Sequence, residues 1–395
     1  MVPLHETGSR VACAANGTIG QRGLMRIASY NVENLFTRAK VLNLDTWAEG
    51  RAVLEHFAEL NGLFEKDAYA AEDKTRMLAL MRLLGIEKKD DGGKFVTLRQ
   101  NRGQLLKRSM VSSPQIVANG RADWSGWVEM KTELVNEVST RNTAQVVRDV
   151  NADVLGVIEC EGRAALLQFS DKLLPAVGGT PYGEVMLVDG NDTRGIDVGI
   201  ATKPGYKIGW MRSHADDRTA AGGLVFSRDC PEFGIWTPSG ATVWVLVNHF
   251  KSRGYGAKDA SDARRWLQAE AVRTIYERLK LEGATMIAVL GDFNDSPDSE
   301  TLAPLLRETD LKDASEHPKF DNGGRAGTYK DGHARDKLDY VLLSPALFSR
   351  MSQGGVWRRG VWGGKNGTLW EIYPEMTQAY YAASDHACIW CDVEV

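Results

Sequence analysis

From Met286 the chain reads Met-Ile-Ala-Val-Leu-Gly-Asp-Phe-Asn-Asp, an apolar run that stops at a carboxylate and an amide. This pattern predicts a buried strand that delivers Asp292 and Asn294 to a surface cleft. Side chains two apart on an extended segment share a face, so both reach one place while Phe293 turns the other way. Short polar clusters at Asn31, Glu159, His249, Asp339 and His386 also sit at the ends of apolar runs. Six such points predict an active site assembled from strand ends.

The runs fall in an alternating order. A strand is expected over 25–31. After a break, a helix over 143–150 and a strand over 153–158 begin a regular α/β pattern. It continues with strands at 198–201 and 242–247, an amphipathic helix at 262–280, the Asp292 strand, and strands at 338–343 and 387–393. The stretch 38–141 differs in character. It carries helical periodicity at 52–63 and 74–84, then a predicted hairpin strand at 94–99 with a turn at Asn101-Arg-Gly103. The 395 residues would allow two domains. The reading adopted is one domain over 25–395 with a large insertion at about 38–141, preceded by a disordered leader or tag over 1–24.

Composition excludes several classes. The net charge of −4 gives no global basic field, so attraction to a polyanion must be local or carried by metal ions. Five scattered cysteines, an odd number, do not make a disulfide framework. Cys388 and Cys391 lie three apart on an expected strand, hence on opposite faces, and read as packing residues. No apolar run approaches the length of a membrane span.

Asn31, Glu33, Glu159 and Asp385 are oxygen donors that suit a hard divalent ion such as Mg²⁺ or Mn²⁺, with Ca²⁺ a further option. His249, His386, Asp292, Asn294 and Asp339 supply acid–base and phosphate-polarising groups. Each taken singly has a bland reading, a surface Glu or a packed His. In combination they are the equipment for attack of water on phosphorus. Lys251 and Arg253 flank His249 with positive charge. Asp339 interrupts an apolar strand and needs a partner, which the Ser384-Asp-His386 segment can provide. No G-x-S-x-G elbow is present, against serine-hydrolase chemistry.

Ser29-Tyr-Asn-Val-Glu-Asn34, Val157-Ile-Glu159, Asn248-His249, Gly291-Asp-Phe-Asn294, Leu338-Asp-Tyr340 and Ser384-Asp-His386, in that order, resemble the motifs of the endonuclease/exonuclease/phosphatase superfamily. The resemblance implies a DNase I-like four-layer α/β sandwich, two mixed β-sheets packed face to face with helices outside. It implies that Glu159 is the principal metal ligand, with Asp385 and Glu33 nearby, and that Asn31 supports the metal and phosphate. His249 would contact the phosphate on the leaving-group side. Asp292 would orient or deprotonate the water, Asn294 would hold the same region, and Asp339 would fix His386. The general base is left as Asp292 or His386. Asn248-His-Phe-Lys-Ser252 is similar to bacterial nucleases of the superfamily, and Arg194 with Asp197 matches a substrate-side pair of that branch. The substrate contacts expected are therefore Asn248, Lys251, Arg253, Arg194 and Asp197.

The expected activity is a metal-dependent phosphodiesterase acting on DNA or RNA, a monomer with nucleic acid as its partner, no protein partner and no membrane insertion. The alternatives are a phosphatase or a phospholipid- or sphingomyelin-type diesterase on the same scaffold, and a non-catalytic binding module. Ala12-Cys-Ala14 resembles a cleavage site but follows no apolar stretch, which favours the bacterial cytoplasm over secretion. Two basic stretches are candidate substrate surfaces. Residues 88–108 carry seven basic side chains against two acidic ones, and residues 357–365 interleave Trp with Arg and Lys. The bland readings are a solvated hairpin and a packed Gly-rich loop. Trp124 and Trp127 are read as core of the insertion.

Overall fold

The computed structural model describes residues 23–44, 47–109, 111–253 and 257–395. All but the last two positions of the expected leader lie outside them. In chain order the main strands are β1 (Leu24–Asn31), β2 (Val154–Cys160), β3 (Glu184–Leu187), β4 (Asp197–Thr202), β5 (Lys207–Arg212), β6 (Glu232–Trp236) and β7 (Thr242–His249). They continue with β8 (Ile287–Asp292), β9 (Lys312–Asp313), β10 (Phe320–Asp321), β11 (Asp339–Leu343), β12 (Met351–Trp357) and β13 (Cys388–Glu394). The longer helices are α1 (Trp47–Phe64), α2 (Ala71–Leu83), α3 (Glu137–Val150) and α4 (Lys258–Leu281).

Seven strands form one mixed sheet in the order β10-β12-β13-β1-β2-β4-β3, and six form the other in the order β5-β6-β7-β8-β11-β9. Each sheet is built around a parallel pair, β1 with β2 and β7 with β8, and each pair is flanked by antiparallel strands. Alternation along the strands sorts their side chains into layers. Ile27, Val154, Ile158, Val198 and Ile200 of the first sheet share one cluster with Val243, Val245, Val247, Leu290 and Val341 of the second. Ala28, Tyr30, Leu155 and Val157, one residue out of step, pack with Ala144, Val146 and Val147 of α3. Leu246, Val289 and Leu342 pack likewise with Val272, Ile275 and Leu279 of α4. This is the predicted four-layer α/β sandwich of two mixed sheets with helices outside. Cys391 faces the inner layer and Cys388 the outer one, on opposite faces as their spacing requires.

Residues 37–134 stand apart. They have a hydrophobic cluster of their own, with Leu54, Phe57, Met77, Leu80, Val96 and Trp124 among its members. Thr37–Ala39 pairs antiparallel with Thr132–Leu134, so the segment leaves and returns through a two-stranded neck. The Glu161 carboxylate accepts the N–H groups of Leu35, Phe36 and Thr37 at 2.7–3.0 Å, which ties that neck to the end of β2. The expected hairpin turn at Asn101–Gly103 is not a turn. Val96–Gly103 is one strand paired with Trp124–Met130, with a register shift between Gln100 and Arg102. The Asn and Gly there serve a bulge, which uses the same backbone freedom as a turn. Trp124 is buried as expected, but Trp127 is 43% exposed.

Gly291 precedes Asp292 at a φ of +139°, and a Cβ there would lie 1.9 Å from the carbonyl oxygen of Asn248. No other residue fits between the paired strands. Gly291→Ala should therefore destabilise the fold by about 3 kcal/mol or more. Gly62→Ala, in α1 with open space around it, should stabilise by up to about 1 kcal/mol. Urea unfolding of both variants checks the contrast, and a mild Gly291→Ala would remove the steric account.

Candidate active site

Parallel and antiparallel strands place their polar residues at one end of the sandwich. Asn31, Glu159, His249 and Asp292 lie at the C-terminal ends of β1, β2, β7 and β8, while Asp339 opens β11 and His386 precedes β13. In three strands the polar residue continues the inward-facing row, Val243-Val245-Val247-His249, Ala288-Leu290-Asp292 and Leu343-Val341-Asp339. These side chains therefore emerge at the mouth between the two sheets. Glu159 reaches the same mouth by another route. Its φ of +63° breaks the alternation, so Cys160 packs in the outer cluster despite its inward parity. Glu33, Asn34 and Asn294 also have positive φ. Such backbone costs energy, and it concentrates at functional sites.

The resulting cleft has a volume of about 270 Å³ and is lined by Glu33, Glu159, His249, Asp292, Asn294, Asp385 and His386 among others. Asp292 lies at its centre. It accepts the Asn294 N–H at 2.8 Å and the side-chain amides of Asn294 and Asn31 at 3.2 and 3.3 Å. Asn294 also donates to the Phe250 carbonyl at 3.1 Å. His386 Nδ1 meets Asp339 Oδ2 at 2.8 Å, and Thr328 donates to the same oxygen at 2.6 Å. His386 Nε2 stands 3.8 Å from both Asp292 and Asp385. His249 Nε2 lies 3.5 Å from Glu159 and 3.6 Å from Asp292.

Burial pushes the Asp292 carboxyl up to about 7, opposed by His386 and aided by Asp339. Burial alone would lower His386, but Asp339 and Asp292 outweigh it and hold the imidazole well above its ordinary value. Burial, with Arg228 and Arg194 behind it, pushes His249 well below. The two histidines thus differ in charge at neutral pH, His386 cationic and His249 neutral.

The oxygen-rich donor set suits a hard divalent ion. Glu159, His249 and Asp292 each offer a ligand atom within 4.8 Å of the others, and so do Asp292, Asp339 and His386. The expected quartet Asn31, Glu33, Glu159 and Asp385 does not close in the same way. Asn31 spends its carbonyl oxygen on the Glu33 N–H, and Glu33 is drawn to Arg38 at 2.9 Å. Glu33 and Asp385 remain neighbours, the Asp385 N–H reaching Glu33 at 3.2 Å.

Three of the expected substrate contacts, Asn248, Asp197 and Lys251, do not line the cleft. Asn248 points away from the cleft, its amide 3.5 Å from the Leu246 and Leu290 carbonyls. Strand alternation that brings His249 in must turn Asn248 out. Asp197 is buried and accepts the Gly190 N–H at 2.8 Å, holding a loop. Lys251 does not line the cleft. Gln268 accepts its N–H at 2.8 Å and Arg265 reaches its carbonyl at 3.0 Å, so α4 fixes this loop. Arg253 lines the cleft but leans on Asp295 at 3.4 Å. Arg194 is present as expected, paired with Asp192 at 2.6 Å. Asp192 also holds Arg228 at 2.9 Å, a cleft residue that no sequence pattern indicated. Arg38 and Tyr329 were likewise missed. Tyr329 lies 4.8 Å from the His386 ring and hydrogen-bonds Asp385. Neither basic stretch lines the cleft. Arg99 and Arg108 pair with Glu129 and Asp90, and Arg358 is spent on the carbonyls of Asn322, Arg325 and Gly327.

The Endonuclease/Exonuclease/phosphatase family model matches residues 135–386. The chain belongs to this family. Members of this family are phosphoester hydrolases and generally depend on a divalent metal, which makes this chain a hydrolase. A search of the curated proteins found no significant match. Solved structures similar in fold include a mannosyl-6-phosphatase of Bacteroides thetaiotaomicron, 16% identical, covering 64% of this chain and 90% of that one with a TM-score of 0.47. Truncated Caenorhabditis elegans TDP2 is 16% identical, with coverage of 65% and 91% and a TM-score of 0.44. The human Nocturnin catalytic domain is 15% identical, with coverage of 65% and 86% and a TM-score of 0.44. Among the described residues no helix is long and apolar enough to cross a membrane.

Asp339→Asn should leave the fold intact and lower kcat about 10³- to 10⁴-fold, because His386 loses its orienting carboxylate. An unchanged kcat would remove Asp339 from the site. Asp192→Ala should cost about 3–5 kcal/mol, since Arg194 and Arg228 would lose the buried carboxylate that both pair with. Burial alone would raise the Asp192 carboxyl, but the two arginines hold it well below the usual range. Its contribution is therefore present above the unfolded value near 4 and is lost as pH falls below it. Denaturation between pH 6 and 2 should show a smaller acid loss in the variant than in the parent.

Proposed function

We propose that the protein is a divalent-metal-dependent phosphodiesterase that hydrolyses nucleic acid, DNA or RNA. One observation carries this reading: Glu159, His249, Asp292 and His386 form an unbroken chain of metal-binding and acid–base groups in a single cleft, with Asp339 buried behind His386. Mg²⁺ or Mn²⁺ would be held by Glu159 with Asp292 beside it, and Glu33 and Asp385 close by. The ion, when bound, neutralises charge and polarises the phosphate.

The protein's own groups divide the remaining work. Asp292, fixed by three N–H donors and raised by burial toward neutral pH, suits the role of orienting the attacking water and accepting its proton. His386, held cationic by Asp339 and Asp292, suits binding of a non-bridging phosphate oxygen. This favours Asp292 over His386 as the base. Neutral His249 and the Arg194–Arg228 pair stand where the phosphate and the departing oxygen need donors. A phosphatase or phospholipid diesterase is the second reading, favoured by the apolar side of the cleft formed by Val41, Leu42, Leu44 and Leu54. We also propose that residues 37–134 are an insertion within the single domain.

The test is hydrolysis of supercoiled plasmid and of single-stranded oligonucleotides with Mg²⁺ or Mn²⁺, beside an EDTA control. Cleavage should vanish with EDTA and fall about 10²- to 10⁴-fold in His249→Ala. Glu159→Gln should shift the Mg²⁺ titration to higher concentration. Near-parental turnover of His249→Ala would remove that residue from the mechanism. Hydrolysis of monoesters or phospholipids in place of polynucleotides would transfer the assignment to the second reading.

A further inference from the structure

The cleft has two unlike sides. One carries the carboxylates, histidines and arginines described above. The other comes from the 37–134 segment and, beside Arg38 at its edge, presents Val41, Leu42, Leu44, Gly50 and Leu54. Phosphate hydrolysis has no use for this surface, yet it is solidly built. A Cβ on Gly50 would lie 2.8 Å from the Val41 carbonyl oxygen and 3.0 Å from its Cγ2, so α1 is pressed onto the turn at Lys40–Asn43 without a gap. Val41 and Leu54 are buried members of the segment's own core. The wall is also fixed to the reaction centre. Arg38 reaches back to the Glu33 side chain and carbonyl, and Glu161 holds the three N–H groups at the neck.

We propose that this wall is a specificity subsite that takes an uncharged, apolar ester group of the substrate, placed next to the phosphate being cleaved. The proposal rests on the phosphoester-hydrolase reading of the same cleft. An apolar surface at this place rewards buried hydrocarbon or an aromatic face at roughly 25 cal/mol per Å². It penalises a phosphate set against Leu42 and Leu44, which would lose hydration to hydrocarbon there. The substrate selected is thus one that sets an uncharged group, such as an unpaired base, against this wall and directs any flanking phosphate away from it.

The test uses the full chain with Mg²⁺ and two matched series. Methyl-, butyl- and phenylphosphonic acid are titrated by calorimetry, which reads binding without turnover. Methyl, butyl and phenyl 4-nitrophenyl phosphodiesters are assayed for kcat/KM. Affinity should rise about tenfold or more from methyl to phenyl, and kcat/KM should follow. Leu42→Gln and Leu44→Gln should reduce the phenyl-to-methyl ratio toward one. Leu83→Gln, at an exposed position of α2 (61% accessible), should leave the ratio as it is. Absence of a gradient in the parent protein, or a gradient that survives in both wall variants, would overturn the proposal. Phosphonates that bind with the gradient while no ester is hydrolysed would instead overturn the functional reading and leave the subsite standing.

Discussion

Everything at the active end depends on two sheets facing each other with their alternation in register. The inward rows that exclude water in the middle of the sandwich are the rows that end in His249, Asp292 and Asp339. Val247, Leu290 and Val341, two positions from the polar residue in each row, hold the strands against the opposite sheet, and the polar residue stands at the point where the sheets open. Core packing and placement of the reactive groups are therefore one constraint. A slip of one residue in any of these strands would invert both at once.

The polar groups gain their properties from that position. Asp292 and His249 are surrounded by protein on most sides, so their proton affinities answer to neighbours and not to water. A neutral imidazole and a cationic one lie on either side of one carboxylate, as separate environments drive similar side chains to different states. The irregular backbone at Glu33, Glu159 and Asn294 belongs to the same design. It aims donors and carboxylates where a regular strand would turn them aside, and the surrounding ladders hold it in place.

Much of this was legible in the sequence. Apolar runs ending in Asn31, Glu159, His249 and Asp292 gave the strands, but Asn294 meets Asp292 through a turn at positive φ beyond the strand end and not through period two. Strand alternation, applied to Asn248, would have excluded it from the cleft, since neighbours on a strand cannot share a face. Positive φ at Glu159 left no mark, because non-glycine residues take it only when tertiary contacts impose it. Arg228 and Arg38 were hidden for a different reason. Each arrives from a loop or from the neck of the 37–134 segment, and only folding brings it beside Asp192 or Glu33. Of the basic residues near 99–108, Arg99 pairs with Glu129 across a strand pairing that periodicity did not reveal, and Arg108 pairs with Asp90 of its own stretch.

The neck has a consequence of its own. Thr37 and Leu134 are direct neighbours, so the intervening chain closes on itself with its own core and shares little apolar packing with the sandwich. Such a unit can open and reclose cooperatively while the rest stays folded. The local stability of that unit, set by residues such as Trp124 and Leu80 far from any reacting atom, then governs how often the apolar side of the cleft is in place. Temperature or denaturant too mild to unfold the sandwich would tune selectivity before it touched catalytic competence.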